Sequence, residues 1–454
     1  MSLIDEQSCE CTTSPLDWFE ILPTQTSVEK GTHVEYQPVT ALTDSSPVEF
    51  HIPSTTEDYL DLLNTHLYIK LKVVKDDDSV CADADKIAPI NDIFNSLWSN
   101  VEVFLNDRLV SHSNNTHGYM SMMKLLAFGT EEALTSQHSM RLVFKDTPGQ
   151  MDAVDASVAN PTSVIPGFNI KADGSAETAV GNHGLHQRYL YTNKSKVVDL
   201  IAPLRVDIFE QGKYIPSGVS IRLRFHRQKP SFYLMASQAG GYKIKIMDTS
   251  MLVRRVKPSP GVLLGHEEAL MKMNAKFPIS RTECKVLVFP AGLRSFQEDN
   301  VFLGQLPKRV VIAMVDNAAF TGTFNKNPYN FKTYDISYLA LFVDGEPSMA
   351  KPFKPSDGNY VRCYQSLYQG LNKLGERGAI IKREDWPNGY SLFAYDLTPD
   401  LDHDDHYPLV KHGNLRIEAE FRNALPETIS LLVYAEFDNV IEISHNRNII
   451  YDYS

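Results

Sequence analysis

Residues 103–107 read Val-Phe-Leu-Asn-Asp, and residues 341–345 read Leu-Phe-Val-Asp-Gly. Each stretch is an apolar strand that enters a pair of Asx or Gly residues, which readily form a tight turn. Each is followed by apolar residues at helical spacing, and then by an alternating strand over residues 218–227 or 413–422. Because these marks occur in one order in both halves, the sequence predicts a single internal duplication.

Two predicted helices follow the repeated strands, since apolar residues recur there at i, i+3, i+4 and i+7. The stripes consist of Tyr119, Met122, Met123 and Leu126 in the first helix, and of Tyr364, Leu367, Tyr368 and Leu371 in the second. We expect the nearby glycines, Gly129 and Gly375, to adopt the left-handed conformation that closes helices. A third, weaker helix is predicted over residues 265–273.

Most of the remaining chain is predicted as strands with one face in a core and one in water. Period-two alternation marks three of them, over residues 67–73, 221–226 and 415–421. Further β-rich runs cover residues 101–105, 242–246, 285–289, 310–315, 338–343 and 429–443. Each half is too long for an immunoglobulin-like sandwich of about 100 residues and fits an eight-stranded jelly roll. The predicted fold class is therefore all-β: a double jelly roll of two tandem eight-stranded antiparallel β-sandwiches with a few short helices.

The predicted organisation has three parts. An N-terminal arm covers residues 1–27, a first jelly roll residues 28–236, and a second jelly roll with a C-terminal strand residues 242–454. The boundary is placed where Ser, Gln, Ala and Gly interrupt two strands, at residues 237–241. Residues 146–184 are rich in small polar residues and account for the greater length of the first half, so we expect an exposed surface loop there.

Composition excludes several classes of protein. Of 454 residues, 43% are hydrophobic and 22% charged, which is typical of a chain with a real core. The net charge is −12, and residues 1–30 hold six acids and one base, so we expect no basic arm and no direct nucleic-acid binding. The N-terminus lacks the pattern of a secretory signal, no stretch is apolar enough to span a bilayer, and the five scattered cysteines are expected to be reduced.

The N-terminal third carries an ordered string of short motifs. It contains Pro-Thr-Gln-Thr-Ser-Val at residues 23–28, Asp-Ser-Ser-Pro-Val-Glu-Phe at 44–50 and Asp-Tyr-Leu-Asp-Leu at 58–62, with Tyr36, Pro38, Ile52, Leu67 and Tyr68 between and after them. This string resembles the major capsid proteins of the Polinton/Maverick elements and the related adintoviruses, and the resemblance covers nearly the whole chain.

The resemblance implies a double jelly-roll subunit without enzyme activity. It also implies a homotrimer with a pseudo-hexagonal outline, which builds the icosahedral shell of a DNA-virus-like particle. The implied partners are neighbouring capsomers and a penton or minor capsid protein. The implied location is the virion, after assembly inside the host cell, in the nucleus.

No residue cluster makes a strong case for catalysis or metal binding. The densest polar cluster, Asp-His-Asp-Asp-His at residues 402–406 with His412 nearby, offers ligands for a divalent ion but also fits an acidic loop, and we expect the loop, no metal and no cofactor. His266 and Glu267 begin like a zinc-protease motif, but Leu270 stands where the second histidine is required. The nucleophile elbow and the glycine-rich phosphate loops are absent from the sequence.

Two further features concern contacts. The basic residues are concentrated at Arg222, Arg224, Arg227, Lys229, Arg254, Arg255 and Lys257, and they suit either a phosphate or acidic partner, or a solvated sheet face paired with nearby acids. An apolar patch interrupts the acidic arm at Leu16, Trp18, Phe19, Ile21 and Leu22. We expect this patch to be an assembly contact, beneath its own subunit or on a neighbouring capsomer or minor capsid protein.

The alternative function is a tandem β-sandwich module that binds glycans or mediates adhesion. Such modules use aromatic platforms, and hydrolases of this kind use two carboxylates about 5–10 Å apart. With three tryptophans in the chain and no secretory signal, we favour the capsid interpretation.

Overall fold

The computed structural model describes residues 14–16, 18–19, 21–158, 181–237, 240–355, 359–399, 401 and 406–451. The strands are β1 Val28–Tyr36, β2 Val48–Ile52, β3 Tyr59–Lys75, β4 Ile87–Pro89, β5 Trp98–Leu105, β6 Arg108–Ser111, β7 Val198–Pro203, β8 Ile221–Arg227, β9 Leu234–Ala236, β10 Tyr242–Pro258, β11 Ala275–Phe289, β12 Ser295–Gln305, β13 Arg309–Asp316, β14 Ile336–Val343, β15 Glu346–Pro347, β16 Leu392–Asp396, β17 His412–Phe421, β18 Ile429–Ile443 and β19 Ile449–Ile450.

The helices are short. They are α1 Ile93–Ser96, α2 His117–Phe128, α3 Glu131–Thr135, α4 His183–Thr192, α5 Pro230–Tyr233, α6 Pro260–Leu270, α7 Asn317–Thr321 and α8 Val361–Gln369. Single 3₁₀ turns cover Ser14–Leu16, Gln137–Arg141, Asn193–Ser195 and Asp207–Glu210.

Four four-stranded antiparallel arrays form two sandwiches with the same strand order. In the first sandwich the arrays are β1-β10-β3-β7 and β2-β8-β5-β6, and in the second they are β11-β18-β13-β16 and β12-β17-β14-β15. Counted along each sandwich, the first strand pairs with the eighth, the eighth with the third and the third with the sixth, while the other sheet runs second, seventh, fourth, fifth. The prediction of two eight-stranded antiparallel sandwiches is confirmed. The additions to this plan are β19, which pairs with β18, and a small β4-β9 pair.

The division between the sandwiches lies later in the chain than the sequence predicts. Strand β10, which the predicted boundary assigns to the second jelly roll, pairs with β1 and β3 of the first. Its register joins Val28 to Pro258 and Tyr242 to Lys75, so residues 242–258 complete the first sandwich. Helix α6 is the connection to the second sandwich, which begins with β11.

The duplication is visible in atomic detail at one hairpin of each sandwich. Asn106 and Asp107 between β5 and β6 have φ of 43° and 65°, and the corresponding Asp344 and Gly345 between β14 and β15 have φ of 51° and 86°. Positive φ at both central residues is typical of the type I′ turn, which matches the twist of paired strands. The backbone N–H of Ser220 donates to Asn106 Oδ1 at 2.8 Å, and that of Asn414 donates to Asp344 Oδ1 at 2.7 Å.

The side chains beside these hairpins repeat as well. The Arg222 guanidinium lies 4.6 Å from the centre of the Phe104 ring, and that of Arg416 lies 4.4 Å from the Phe342 ring. In both sandwiches the arginine and the phenylalanine are cross-strand partners in the register. The two sheets therefore present the same cation–π pair on their outer faces.

The two predicted main helices form, but their glycines differ from expectation. Gly129 follows α2 with φ −75° and ψ 160°, which is extended backbone rather than left-handed. It is required for space, because a Cβ there would lie 2.5 Å from the Leu125 carbonyl oxygen. Gly375 has φ of 92° but lies beyond the end of α8 at Gln369, so it does not close that helix.

The core lies between the two sheets of each sandwich and in the junction between the sandwiches. In β3 the alternating residues Leu67, Ile69, Leu71 and Val73 are buried, as the period-two pattern predicts. By contrast, all residues of β13 are buried, since that strand is covered on both faces. The second sandwich thus contributes one sheet to the centre of the molecule.

The prediction of an exposed surface loop over residues 146–184 is wrong at both ends of that range. Among the residues of this loop that the structure describes, Asp146, Met151, Ala156 and Asn182 are buried, and α4 begins at His183. The Asn182 side chain accepts from the Thr147 backbone N–H at 3.1 Å, so these polar residues serve internal hydrogen bonds instead of solvent exposure. The middle of the loop, residues 159–180, lies outside the described residues.

Candidate assembly surfaces

A buried ion pair within the first half is the centre of a cluster that joins the two sandwiches. The Arg188 guanidinium on α4 donates to Asp146 Oδ1 at 2.7 Å, and neither side chain is exposed. Two groups from the second half complete the cluster: Asn327 Nδ2 donates to Asp146 Oδ2 at 3.0 Å, and the Tyr390 hydroxyl donates to the Asp146 carbonyl at 2.7 Å. Since buried charges need such partners, this cluster holds the sandwiches in one relative position.

An aromatic cluster fills the junction beside the ion pair. Tyr119 of α2 packs against Phe232, Phe320 and Tyr329, with ring centres 5.4–5.6 Å apart. The Tyr329 hydroxyl, which comes from the second half, lies 2.5 Å from Ser96 Oγ of the first. The junction is therefore closely packed as well as hydrogen-bonded.

A buried carboxyl group sits at a second point of the junction. The Thr282 hydroxyl of β11 donates to Asp207 Oδ1 at 2.7 Å, and Ser111 Oγ lies 3.4 Å from the other oxygen. Burial raises the pKa of Asp207 to about 6, although the hydrogen bond from Thr282 and the nearby Lys124 ammonium act in the opposite direction. This carboxyl group therefore changes charge in the mildly acidic range.

The C-terminal segment, which follows the second sandwich, makes contacts with the first sandwich. Arg447 Nε donates to the Ser217 carbonyl at 2.7 Å, its guanidinium pairs with Glu267 of α6, and its own carbonyl accepts from Asn106 Nδ2 at 3.0 Å. Tyr451 is buried. With contacts at several places, the two sandwiches form one body whose outward faces are free to contact other molecules.

The predicted arm residues are exposed in the isolated chain. Their exposed fractions are 66% for Leu16, 79% for Trp18, 94% for Phe19, 91% for Ile21 and 90% for Leu22. Large apolar side chains this exposed are typical of a surface that contacts another molecule. The role of the five residues as an assembly contact stays a prediction.

An apolar groove opens where the arm leaves β1. It has a volume of about 970 Å³ and lies between α6, the loop at residues 212–216, and the facing ends of β1 and β11. Its walls include Tyr214, Val262, Met273 and Phe277. Sequence reasoning missed this groove because four separate segments build it. One local signal existed: Met273, just beyond the end of α6, is an apolar side chain of the groove wall and is 69% exposed.

Six of the seven basic residues named from the sequence, all except Lys229, contact acids or other oxygen atoms in the described part of the chain. On the outer face of the β2-β8-β5 sheet, Arg222 and Arg224 both lie within 3.9 Å of Glu49, and Arg224 lies 3.5 Å from Glu102. The remaining contacts are Arg222 with Asp107, Arg227 with the Ile244 carbonyl, Arg254 with Asp61, Arg255 with the Tyr36 hydroxyl and the Pro53 carbonyl, and Lys257 with Glu57. This pattern favours a paired sheet face over a phosphate-binding surface.

The other residues considered for catalysis or metal binding make structural contacts, where the structure describes them. His266 Nδ1 lies 2.9 Å from the Tyr59 hydroxyl, and Glu267 pairs with Arg447. Cys81, Cys284 and Cys363 are buried free thiols. Burial raises the pKa of the last two to about 12, so these thiols remain protonated at neutral pH.

The described residues offer neither a metal site nor a membrane span. No group of three His, Cys, Asp or Glu side chains suited to a metal ion occurs among them. Residues 402–405 of the acidic cluster, and Cys9 and Cys11, lie outside them. No helix in the described parts of the chain combines the length and the apolar character needed to cross a membrane.

The strand order in each sandwich, with the first strand beside the eighth and a double Greek-key path, is that of a jelly roll. The fold is a double jelly roll. Solved structures of the same fold cover nearly the whole chain. A 3.5 Å cryo-EM structure of the Sputnik virophage matches 99% of this chain and 94% of its own, with a TM-score of 0.66 and 13% identity.

Two further solved structures are similar in fold. The Faustovirus major capsid protein matches with a TM-score of 0.58 and 8% identity over 94% of this chain and 92% of its own. The mavirus major capsid protein matches with a TM-score of 0.53 and 11% identity over 100% of this chain and 97% of its own. At the level of sequence, an uncharacterized protein of Caenorhabditis elegans is 20% identical over 446 residues, which are 94% of this chain and 99% of the relative. No family model matches the chain.

Proposed function

We propose that this chain is the major capsid protein of an icosahedral, DNA-virus-like shell. The observation that carries the proposal is the pair of jelly rolls with identical strand order, joined into one body by buried contacts such as those of Asn327 and Tyr390 with Asp146. Chains of this fold include the Faustovirus and mavirus major capsid proteins. In this role the chain is structural, and its function is assembly rather than catalysis.

The capsomer in this proposal is a homotrimer. Three copies of a two-sandwich subunit present six similar sandwiches, so a threefold object fits a lattice position with six neighbours. The repeated hairpins and the repeated arginine–phenylalanine pairs support this use, because they place equivalent surface features on both sandwiches. The partners are neighbouring capsomers and a penton or minor capsid protein.

The finer assignment is to the Polinton/Maverick and adintovirus group. The motif string at residues 23–68 supports it, and the similarity in fold to the mavirus major capsid protein is compatible with it. The chain then belongs to the virion. The net charge of −12 and the internally paired arginines suit a shell that leaves condensation of the genome to other proteins.

The alternative glycan-binding module has little structural support. Trp98 and Trp386 are buried, so neither offers the exposed aromatic platform on which sugars stack. The third tryptophan, Trp18, belongs to the arm.

Light scattering of the purified chain tests the proposal directly. The subunit has a mass of 51.2 kDa, and we expect a stable species of three times that mass, with a hexagonal outline in negative-stain images. A folded monomer at every concentration tested, with the circular dichroism of a β protein, would refute the capsomer. A glycan array run on the same sample addresses the alternative, for which we expect no binding.

A further inference from the structure

The apolar arm and the α6 groove lie side by side on one chain, and the described part of the chain covers neither. Phe19 and Leu22 are at least 90% exposed, while Ser27 and Val28, which follow the arm, form part of the groove wall. We infer that residues 16–22 of one copy dock into the α6 groove of a second copy. The inference rests on the proposed function, because it names the contact by which copies of the capsid subunit are joined.

The charges of the two surfaces are complementary. Asp17 and Glu20 lie between the apolar residues of the arm. The charged or titratable side chains of the groove wall, in the part of the chain that the structure describes, include Lys213, Lys276 and His266. Lys213 Nζ donates to the Lys276 carbonyl at 3.0 Å, and Lys276 Nζ lies 3.8 Å from Glu442. A basic rim around an apolar floor fits an acidic segment that carries large apolar side chains.

The size of the groove also fits the arm. A volume of about 970 Å³ is at the upper end of the range for pockets that bury a whole ligand. Trp18 and Phe19 are the largest side chains of the arm, and aromatic residues of this kind bury roughly 150–250 Å² each. They are the anchors expected at the centre of such a contact.

The exposure of the arm in the isolated chain favours exchange between copies over docking within one chain. Gln25 accepts a hydrogen bond from the Val28 backbone N–H at 2.9 Å and donates to the Val28 carbonyl at 3.2 Å, which fixes the chain as it leaves β1. Residues 21–26 are exposed in the isolated chain, and the groove wall includes none of them. At about 3.3–3.6 Å per step, the eleven steps along the chain from Leu16 to Ser27 reach at most about 40 Å. In two copies that exchange arms, the groove of one copy must therefore lie within about 40 Å of the start of β1 in the other. A symmetry axis close to α6 would meet this condition.

A labelled peptide tests the docking without requiring a complete shell. The peptide has the sequence of residues 13–26, and its receptor is the full-length chain with Trp18→Ser and Phe19→Ser, so that the receptor's own arm does not compete. Fluorescence anisotropy should show saturable binding that weakens as salt is raised. Met273→Glu in the groove wall should weaken binding at least about tenfold, because it places a carboxylate beside the acidic arm. Leu264→Glu is the matched control: Leu264 lies on α6, nine residues before Met273, is 73% exposed and stands outside the groove wall, so the substitution should leave affinity within about twofold.

A disulfide trap distinguishes exchange from docking within one chain. In a background of Cys9→Ser and Cys11→Ser, Phe19→Cys and Met273→Cys should form a cross-link between two chains on a non-reducing gel. A cross-link confined to single chains would overturn the exchange, and equal peptide affinities of the Met273→Glu and Leu264→Glu receptors would overturn the groove. If the wild-type chain is trimeric but the peptide does not bind, this inference fails and the proposed function stands. If the wild-type chain is a monomer, the proposed function fails independently of the peptide result.

Discussion

Replacing Arg188 by Met should strongly destabilise the chain, because it removes one partner of the buried ion pair at the junction of the sandwiches. Besides Asp146, the guanidinium donates to the Pro89 carbonyl at 2.8 Å and the Phe144 carbonyl at 3.0 Å, so the substitution removes three hydrogen bonds. The Asp146 carboxylate would remain buried with only the Asn327 amide as a side-chain donor in the described structure. Breaking such a pair costs about 3–5 kcal/mol.

The assay is urea unfolding monitored by tryptophan fluorescence. All variants are compared at one protein concentration, because association raises apparent stability. Lys194→Met is the matched control, since the Lys194–Asp83 pair has a similar length of 2.8 Å but is exposed at both ends. We expect the control to unfold at the wild-type midpoint and Arg188→Met to unfold at a clearly lower one. Equal midpoints for the two variants would refute the conclusion that the buried cluster holds the sandwiches together.

Two further predictions concern the junction and the end of α2. The pKa of Asp207 is about 6 in the folded chain, against an ordinary value of 3.8. The stability that the protonated carboxyl group contributes is therefore full below pH 3.8 and is lost as the pH rises through 6. The difference between the two pKa values corresponds to roughly 3 kcal/mol of unfolding free energy. In urea unfolding at pH 4 and pH 7, Asp207→Asn should therefore gain stability relative to wild type at the higher pH, and a constant difference would contradict the assignment. Gly129→Ala should lower the thermal midpoint, because its Cβ would meet the Leu125 carbonyl oxygen at 2.5 Å. Gly261→Ala in α6, where a Cβ meets nothing within 4 Å, should be neutral or stabilising by about 0.5–1 kcal/mol, and equal effects of the two alanines would argue against the crowding.

The parts of the fold that the sequence predicts well are those set by short stretches of chain. The hairpins at Asn106 and Asp344 are local, because a type I′ turn depends on two residues and on the strands beside them. Their repetition predicts the duplication, and the alternating strands together with the length of each half predict the eight-stranded sandwiches. The C-terminal strand β18 has the bounds that its β-rich run predicts, residues 429–443.

The errors occur where distant residues decide the structure. The partners of β10 are β1 and β3, and no pattern within residues 242–258 shows that they belong to the first sandwich. Asp146 lies in a stretch with the composition of a loop, but it is buried because Arg188, 42 residues later, pairs with it. Composition describes the average surroundings of a segment and does not predict such a pairing.

The two candidate surfaces, the arm and the groove, also differ in whether the sequence predicts them. The arm is recognisable in the sequence because five large apolar residues stand among acids with no strand or helix pattern. The groove that we assign to it is not recognisable, since its walls come from the end of β1, the loop at residues 212–216, α6 and the start of β11. Only the folded chain brings these segments together.

The two halves keep one side-chain pair on their outer faces and differ in the burial of one equivalent inner strand. The outer faces keep the same pair of side chains, Arg222 over Phe104 and Arg416 over Phe342, at nearly the same distance and with about a third of each arginine exposed. The inner strands differ, because β13 is buried on both sides whereas the equivalent β3 alternates along much of its length. A monomeric binding module would not require its two outer sheets to remain alike. A subunit whose two sandwiches occupy equivalent positions around a pseudo-sixfold axis does require it, so the pattern of divergence itself supports the proposed capsomer.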